Sequence, residues 1–459
     1  TAHGDTGMDA IVGRIKVVKC APKRQPCPHC GQEGRRKGYL PSRFVVDVEP
    51  GGGICTIELR IAEYRATCGC CKTFRSCPPP DAVDVEPWAT YSNRVRDLVI
   101  GRLIEDNLPV DRLLHSLHRD FRLKLSEGYV YQCLEWKVGQ VNMAEYRQWT
   151  QEQFSGTMCL DELHLGHRTL LMATDPIADV VLGFALVSRN DHDHMRSFLN
   201  NLKTHGFQPK IVISDGSPLY PALIEELWPE AKHQLCVFHL LKEINTDILD
   251  AFRRLRREAF PKSQSKGKRG RPSKARAKAQ KWAKRQAERS KFVWDHRYLI
   301  VTAPEKMSDE DHANWSKMMH YVPGLKQLRR FALEVRGVLD PTISRAQAWH
   351  RFRKLQGNGK YRKDVDLRRA LQKLRREKFA KAIEYLAWTH RTKIRTNNHV
   401  ERMNRVIRLK EKVRYGWRKR RSVVRFLVLS LDGMRQRQHA EPPEPKKRLQ
   451  RRRKRKLGP

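Results

Sequence analysis

The sequence contains no run of about twenty apolar residues, the length that a membrane-spanning helix requires. Ahead of the predicted folded part there is no hydrophobic segment of the kind found in secretory signal peptides. Because the chain does not begin with Met, residues 1–10 are left without interpretation. From these absences we expect a soluble protein that stays inside the cell.

Acidic residues are also scarce, since 50 Asp and Glu face 92 Lys and Arg and leave a formal net charge of +42. A chain with this imbalance repels itself unless a polyanion neutralises it, so nucleic acid is the expected partner. A protein of membrane surfaces could carry similar charge, but the missing hydrophobic runs argue against it. The 459 residues, 39% of them hydrophobic, suffice for a globular protein of two to four domains.

Eleven cysteines are present, and several stand in close pairs. An odd number in pairs suits metal binding in a reducing compartment better than a disulfide framework. The motifs "CPHC" and "CGCC" predict a four-thiolate zinc ribbon with the ligands Cys27, Cys30, Cys68 and Cys71. Further candidate ligands are Cys70, His29, Cys55 and Cys77. The alternative is a set of buried cysteines without metal.

Three amphipathic segments follow the "CPPP" break at residues 77–80. They read "NRVRDLVIGRLIEDN", "PVDRLLHSLHRDF" and "SEGYVYQCLEWKV", and Ser126 is placed to cap the third. Short helices joined by tight turns in a basic protein indicate a helix-turn-helix whose third helix reads DNA. A three-helix bundle that packs against the next domain fits the pattern equally well.

From residue 157 the pattern changes to strands. "TMCLDEL", "HRTLLMATD" and "DVVLGFALVS" predict a meander, followed by a helix that stops at Gly206. "PKIVISD" and "KHQLCVFH" predict two more strands, each followed by a helix. Three strands and then alternating helices and strands, with Asp161 in the first strand and Asp215 after the fourth, is the layout of the ribonuclease H-like fold.

Asp161 and Asp215 are the first candidate catalytic residues. In that fold the first and fourth strands are neighbours, so the two carboxylates would repel each other unless a divalent cation neutralises them. Hard oxygen ligands indicate Mg²⁺ or Mn²⁺. Alternatively, Asp215 could accept hydrogen bonds in the turn or cap the helix near Pro218. Glu162 is the reserve for Asp161, since adjacent strand residues face opposite sides.

Five motifs, "CPHCG", "LDELHLGHR", "ISDGSPLY", "CVFHLLKE" and "TNNHVERMNR", occur in this order. Over roughly residues 25–435 they resemble the bacterial insertion-sequence DDE transposases that join a zinc ribbon and helix-turn-helix to a ribonuclease H-like domain split by a helical insertion. The resemblance implies a cytoplasmic, nucleoid-associated bacterial enzyme. It would bind the ends of an insertion sequence, cleave the element 3′ ends and join them to target DNA.

The resemblance also implies the chemistry and the partners. Two Mg²⁺ or Mn²⁺ ions would support phosphoryl transfer, with Asp161 bridging both, Asp215 holding one and Glu401 the other. A structural Zn²⁺ would occupy the ribbon, and pairing two element ends of double-stranded DNA implies a homodimer or higher oligomer on DNA. The alternatives are a domesticated DNA-binding regulator and a ribonuclease H-like nuclease without strand transfer.

The third carboxylate comes from the predicted helix "TNNHVERMNRVIRLKEKV". Glu401 matches the family pattern, although a carboxylate near a helix amino terminus is also favourable without catalysis. Glu411 and Glu384 are its reserves. The cap candidates are Thr396, Asn397 and Asn398, and the predicted apolar face comprises Val400, Met403 and Ile407, with Val406 as a further candidate.

Three further features accompany this site. Cys236 and His239 match a family signature and would support the active site or pack beneath the sheet. "RGRP", with Arg269 and Arg271, resembles an AT-hook for the minor groove, although neutralising DNA phosphates is the favoured role of the basic segment around it. The Trp residues of the insertion, Trp294, Trp315 and Trp349, are expected in its core.

We therefore expect a multidomain α/β protein. Its predicted parts are a zinc ribbon (11–80), a helix-turn-helix domain (85–150), the first part of a ribonuclease H-like catalytic domain (155–250), an all-α insertion with the basic segment (251–394), the last catalytic helices (395–436) and a basic tail (437–459).

Overall fold

A computed structural model describes residues 14–49, 53–69, 73–77, 83–261, 273–388, 394–413 and 419–439. The chain forms two compact units, unit 1 with residues 1–146 and 406–459 and unit 2 with residues 147–405. Within the described ranges no helix is both long and apolar enough to cross a membrane. Four predicted site residues and most of the basic tail lie outside these ranges, namely Cys70, Cys71, Arg269, Arg271 and residues 440–459.

Unit 1 contains a five-stranded sheet built around one long strand. Its strands are β1 (Arg14–Cys20), β2 (Arg35–Tyr39), β3 (Arg43–Val48), β4 (Ile54–Arg65) and β5 (Thr73–Arg75). The central strand β4 pairs in parallel with β1 and antiparallel with β2, β3 and β5. Alternation along β4 buries Cys55, Ile57 and Leu59 on one face. Cys55 is therefore a core residue of this sheet.

Helices complete unit 1. They are α1 (Asn93–Ile104), α2 (Val110–Phe121), α3 (Glu127–Gln140) and α16 (Arg420–His439). Two further helices, α4 (Met143–Gln153) and α15 (Asn398–Val413), each begin in one unit and end in the other. The predicted cap is confirmed, since the Ser126 side chain accepts a hydrogen bond from the backbone N–H of Tyr129 at 3.2 Å. Leu113 and Leu117 are fully buried, and Phe426 of α16 packs into the same core.

Unit 2 begins with a second five-stranded sheet. Its strands are β6 (Thr157–Leu165), β7 (Arg168–Asp175), β8 (Val180–Val187), β9 (Ile211–Ser214) and β10 (Lys232–Leu235). Their order is β10-β9-β6-β7-β8, with an antiparallel meander from β6 to β8. Strands β9 and β10 run parallel to β6. The five predicted strands are confirmed, but the last is shorter than expected because a helix starts at Val237.

Two helices pack on this sheet, α5 (His192–Thr204) and α6 (Leu219–Leu227). Met195 and Leu199 of α5 and Leu223 of α6 share a core with apolar residues of the strands. Helix α5 ends as predicted, because Gly206 follows it at a φ of +82°, which a side chain would disfavour.

The rest of unit 2 is helical. Its helices are α7 (Val237–Ala259), α8 (Lys274–Asp295), α9 (Asp309–Tyr321), α10 (Leu325–Val338), α11 (Arg345–Gln356), α12 (Gly359–Lys363), α13 (Val365–Lys373) and α14 (Arg376–Ala382), with short 3-10 turns at Arg297–Ile300, Pro304–Lys306 and Glu384–Ala387. They form one core around α7, in which Trp315 is buried and Trp294 and Trp349 are partly buried, as expected. Much of the predicted low-complexity basic segment is the ordered helix α8.

Gln234 ties this helical part to the sheet. The side chain is fully buried on β10, and its Nε2 donates to the carbonyl of Ala382 at 2.9 Å. Its Oε1 accepts from the backbone N–H of Tyr385 at 2.8 Å. One buried amide on the sheet therefore satisfies two backbone groups of the helical part.

We predict that Gln234→Met lowers the free energy of unfolding by about 1–3 kcal/mol, because the Tyr385 N–H loses its buried acceptor. Urea denaturation measures the change. Gln208→Met is the matched control, since Gln208 is exposed and should tolerate the substitution. Equal stability losses in the two variants would contradict this role of Gln234.

Candidate active site

Two carboxylates lie side by side on neighbouring parallel strands, Asp161 within β6 and Asp215 directly after the end of β9. The β6–β9 register pairs Cys159 with Ile213, and two further steps along each strand lead to Asp161 and Asp215. A carboxylate oxygen of each, together with one of Glu162, lies within 4.8 Å of the others. All three residues are half-buried. The fold therefore gathers three negative charges at one edge of the sheet.

This crowding changes the protonation of Asp161. Burial is the main cause that raises its pKa to about 7, and the nearby carboxylates of Asp215 and then Glu162 add to it. Burial and the charge of Asp215 also raise the pKa of Glu162. In the absence of a cation, the site therefore resists holding all its negative charges at neutral pH.

The position of Glu162 differs from expectation. Alternation along a strand predicted that only one of Asp161 and Glu162 could face the site, but both carboxylates reach Asp215. The Glu side chain has one more methylene than Asp, which lets its carboxylate reach back at the strand edge. Asn190 Nδ2 lies 3.5 Å from Glu162 Oε1, and the buried Tyr220 hydroxyl also contacts this carboxylate.

Helix α15 contacts Asp161 through Asn404 and carries Glu401, whose carboxylate is not part of the cluster of Asp161, Glu162 and Asp215. Asn404 Nδ2 donates to Asp161 Oδ2 at 2.8 Å, and Glu401 precedes Asn404 by three residues, so the two share a helix face. Glu401 lies in the first turn, where its N–H bonds the carbonyl of Asn397. Its charge contributes to the raised pKa of Asp161.

The environment of Glu401 leaves its carboxylate available. Its Oε1 is buried and has no hydrogen-bond partner within the described part of the chain. His239 Nε2 is 3.7 Å from this oxygen, and Arg405 Nη2 is 3.9 Å from Oε2. His239 occupies the first turn of α7, not a strand, because β10 ends at Leu235. The ring therefore faces Glu401 from a neighbouring helix.

Cys236 and Asn397 anchor the start of α15. The buried Cys236 Sγ accepts from the backbone N–H of Asn397 at 3.2 Å. The Asn397 side chain, which the sequence offered as a helix cap, instead donates through Nδ2 to the carbonyl of Leu160 at 2.6 Å. The residue before Asp161 is thus bound directly to the residue before α15.

Two contacts that the sequence did not predict also hold α15 to the sheet. His399 Nε2 lies 2.7 Å from Asp179 Oδ1, and Arg402 donates to the same carboxylate oxygen. Asp179 has a φ of +59° in the turn between β7 and β8. The only sequence signal for these contacts is that His399 and Arg402 lie within "NNHVERMN", since each contact joins residues more than 200 positions apart.

The structure also shows the turn contact of Asp215 and the positions of the two reserve carboxylates, Glu384 and Glu411. Asp215 Oδ1 accepts from the N–H of Ser217 at 2.9 Å, so the turn role and a place in the cluster coexist in one side chain. Glu384 is held by Arg345 at 3.1 Å. Glu411 lies ten residues beyond Glu401 on α15.

The apolar face of α15 is confirmed with one correction. Val400, Met403 and Ile407 are buried, as predicted. Val406 is 38% exposed and does not belong to this face.

The donor set fits a divalent cation. Carboxylate oxygens are the hard ligands that Mg²⁺ and Mn²⁺ prefer, and three converge within 4.8 Å. The buried, unpartnered Glu401 oxygen is a further donor on the facing helix. A cation would also remove the repulsion that raises the pKa of Asp161.

A second cluster lies in unit 1. The Sγ atoms of Cys27, Cys30 and Cys68 all lie within 4.8 Å of one another. A tight turn shapes the first pair, with the Gly31 N–H bonded to the Cys27 carbonyl and Gly31 at a φ of +76°. Cys68 lies between β4 and β5. Three thiolates at this spacing are consistent with zinc binding.

A comparison with protein families identifies a related group. A family model described as transposase, of the ISL3 DDE type, matches residues 158–428, which is more than half of the chain. The matched segment contains Asp161, Asp215 and Glu401. A comparison with curated proteins finds no match.

We predict that Asp161 makes the metal-free protein less stable as the pH rises. Its carboxyl has a higher pKa when folded, about 7, than the ordinary value near 3.9. The stabilisation this group gives is fully present below pH 3.9 and is lost as the pH rises through 7. Urea denaturation should show Asp161→Asn gaining stability relative to wild type between pH 5 and pH 8, by at most about 3 kcal/mol.

The effect depends on metal in a way that provides the control. Saturating Mg²⁺ at pH 8 should stabilise the wild type more than Asp161→Asn, because the amide gives the cation one charge less. Parallel pH curves of the two metal-free proteins would contradict the raised pKa of Asp161.

Proposed function

Because the chain belongs to the ISL3 family of DDE transposases, we propose that it binds the ends of an insertion sequence, cleaves the element 3′ ends and joins them to target DNA. The observation that carries this proposal is the meeting of Asp161 on β6 and Asp215 at the end of the adjacent β9, with α15 attached to Asp161 through Asn404. A structural protein would gain nothing from gathering these charges.

The sheet order supports a ribonuclease H-like catalytic domain. A three-stranded meander flanked on one side by two parallel strands places the first and fourth strands side by side. We assign residues 155–250 and 395–436 to this domain and residues 251–394 to an insertion. The long helix α7 starts at the catalytic edge and enters the core of the insertion, which joins the two parts.

Asp161, Asp215 and Glu401 are the proposed catalytic ligands. Two Mg²⁺ or Mn²⁺ ions would supply activation of the attacking oxygen and charge stabilisation of the leaving oxygen. The three carboxylates hold the negative charge that keeps such ions at the sheet edge. Glu162 adds charge beside them, and the cluster supports it as the alternative to Glu401.

Neighbouring residues position these carboxylates. Asn404 fixes one oxygen of Asp161, and His239 lies against Glu401 from α7. Cys236 and Asn397 hold the start of α15 at the strand that carries Asp161. Because these contacts join three distant segments, the site forms only when the chain on both sides of the insertion is folded.

The reaction proceeds in two phosphoryl transfers. Water attacks the phosphorus at the element end, the bond to the flanking DNA breaks, and a 3′-hydroxyl is released. That hydroxyl then attacks a phosphodiester of the target, joining the strands as the target 3′ oxygen leaves. No covalent bond to a protein nucleophile is formed, so positioning and charge supply the catalysis.

Unit 1 supplies the proposed recognition of DNA. We assign the cysteine cluster to a zinc ribbon at residues 11–80 and α1, α2 and α3 to a helix-turn-helix at residues 85–150. The net charge of +42 suits a large DNA surface. Pairing two element ends requires at least a dimer on DNA. A regulator without catalysis is not favoured, since it needs no carboxylate cluster.

We predict that Asp161→Asn, Asp215→Asn and Glu401→Gln each abolish cleavage and strand transfer while DNA binding persists. Each change keeps the shape of the side chain and removes one charge that the transition state requires. The assay uses a duplex element end for cleavage and a pre-nicked end with a free 3′-hydroxyl for joining. Cleavage without joining would instead identify a nuclease.

Glu411→Gln is the matched control on the same helix and should keep wild-type activity. Glu162→Gln tests the alternative ligand. If Glu162→Gln abolishes activity while Glu401→Gln retains it, the third ligand is Glu162 and the assignment of Glu401 is wrong.

We also predict that Cys68→Ser releases zinc from unit 1 and lowers its stability, because a structural zinc site contributes folding energy directly. Bound zinc is measured by elemental analysis and folding by thermal denaturation. Cys77→Ser, which alters an exposed cysteine outside the cluster, should retain zinc. A normally folded wild type without zinc would overturn this assignment.

A further inference from the structure

An arginine-lined cleft lies in the insertion. It has a volume of about 650 Å³, within the usual range for ligand sites. Its lining comprises Phe352, Gln356, Arg362, Arg368, Leu371, Gln372, Arg375 and Arg376. We call it the arginine cleft. Four guanidinium groups and no carboxylate line it, so its surface is strongly positive.

The acidic residues on and just before α13 are paired with arginines outside the cleft, so they do not neutralise it. Asp366 and Asp364 are engaged by Arg254, at 3.1 and 2.6 Å, and Arg369 also reaches Asp366. The neighbouring Arg368 points to the cleft. In the described part of the chain none of the four cleft arginines forms an ion pair.

The walls of the cleft are held in place before any ligand arrives. Gln356 Nε2 donates to the carbonyls of Leu371 and Leu374, at 3.2 and 2.8 Å, which fixes α11 against α13. Arg362 Nε donates to the Gln356 carbonyl at 2.7 Å. This bond orients the Arg362 guanidinium, whose two Nη nitrogens bond no other described residue. A preorganised fork of this kind loses little entropy on binding.

We propose that the arginine cleft binds a phosphate group of a nucleotide. Guanidinium groups match phosphate oxygens with paired hydrogen bonds, and several unpaired ones in a cleft need an anion to relieve their repulsion. The phosphate comes either from the backbone of a DNA strand or from a free nucleotide. The DNA source rests on the proposed function, whereas the cleft itself does not.

The test compares three double variants of the full-length protein in Mg²⁺-free buffer. Arg368→Gln/Arg375→Gln removes two charges, and Arg368→Lys/Arg375→Lys keeps the charges but removes the forks. Lys203→Gln/Lys326→Gln is the charge-matched control, because both lysines are exposed in unit 2 and outside the cleft. All the substituted side chains are exposed, and thermal denaturation verifies that each variant is folded.

Binding to a short generic duplex is measured over a range of salt concentrations. For the DNA source, the Gln double variant should bind about tenfold more weakly, and its log-log salt slope should fall by about 1 to 2, since each lost phosphate contact accounts for about 0.9. The Lys double variant should bind the duplex nearly as weakly as the Gln double variant, because Lys lacks the planar fork. The control should change affinity less than about twofold.

ATP binding, measured by calorimetry, is the second arm. Unchanged duplex binding with ATP binding lost in both arginine variants supports the cleft with a free nucleotide as its ligand. If the Gln double variant binds neither ligand more weakly than the control does, the proposal is wrong. If the Lys double variant binds like the wild type, diffuse surface charge explains the binding and the proposal is also wrong. No cleavage occurs in these assays, so their failure leaves the catalytic proposal intact, and inactive carboxylate variants leave this one intact.

Discussion

Repulsion among the carboxylates of Asp161, Glu162 and Asp215 is the constraint on which unit 2 depends. Burying these carboxylates close together costs stability, since burial first and then the neighbouring charges raise the pKa of Asp161 to about 7. The sheet tolerates this cost because buried contacts surround the cluster. Asn404 satisfies one oxygen of Asp161, and Asn397 holds the preceding backbone at Leu160.

The frame is assembled from segments far apart in the chain. Helix α7 begins at Val237 and packs into the core of the helical part of unit 2, and α15 returns to the sheet at Asn398. Gln234 at one side and Cys236 at the other bind the returning chain. The chain between α7 and α15 is thus a covalent and packed link that sets where Glu401 can lie.

Local patterns predicted much of this architecture. Alternation identified β6, β7 and β8, Ser126 marked the start of α3, and Gly206 marked the end of α5, because strands, caps and left-handed glycines depend on neighbours in sequence. The clustering of Asp161 with Asp215 followed from strand order. The roles of Asn397 and Asn404 could not be predicted, because each depends on a hydrogen bond across more than 200 residues.

The expectation from local sequence and the structure differ over the proposed third metal ligand. Strand alternation allowed only one of Asp161 and Glu162 at the site, yet both carboxylates lie in the cluster, while Glu401 lies beside His239 with a buried unpartnered oxygen. The most direct measurement is the anomalous scattering of Mn²⁺ in crystals of the protein bound to an element end. We predict manganese peaks adjoining the carboxylates of Asp161, Asp215 and Glu401. Manganese held by Glu162 in place of Glu401, or no manganese at this edge of the sheet, would contradict the account.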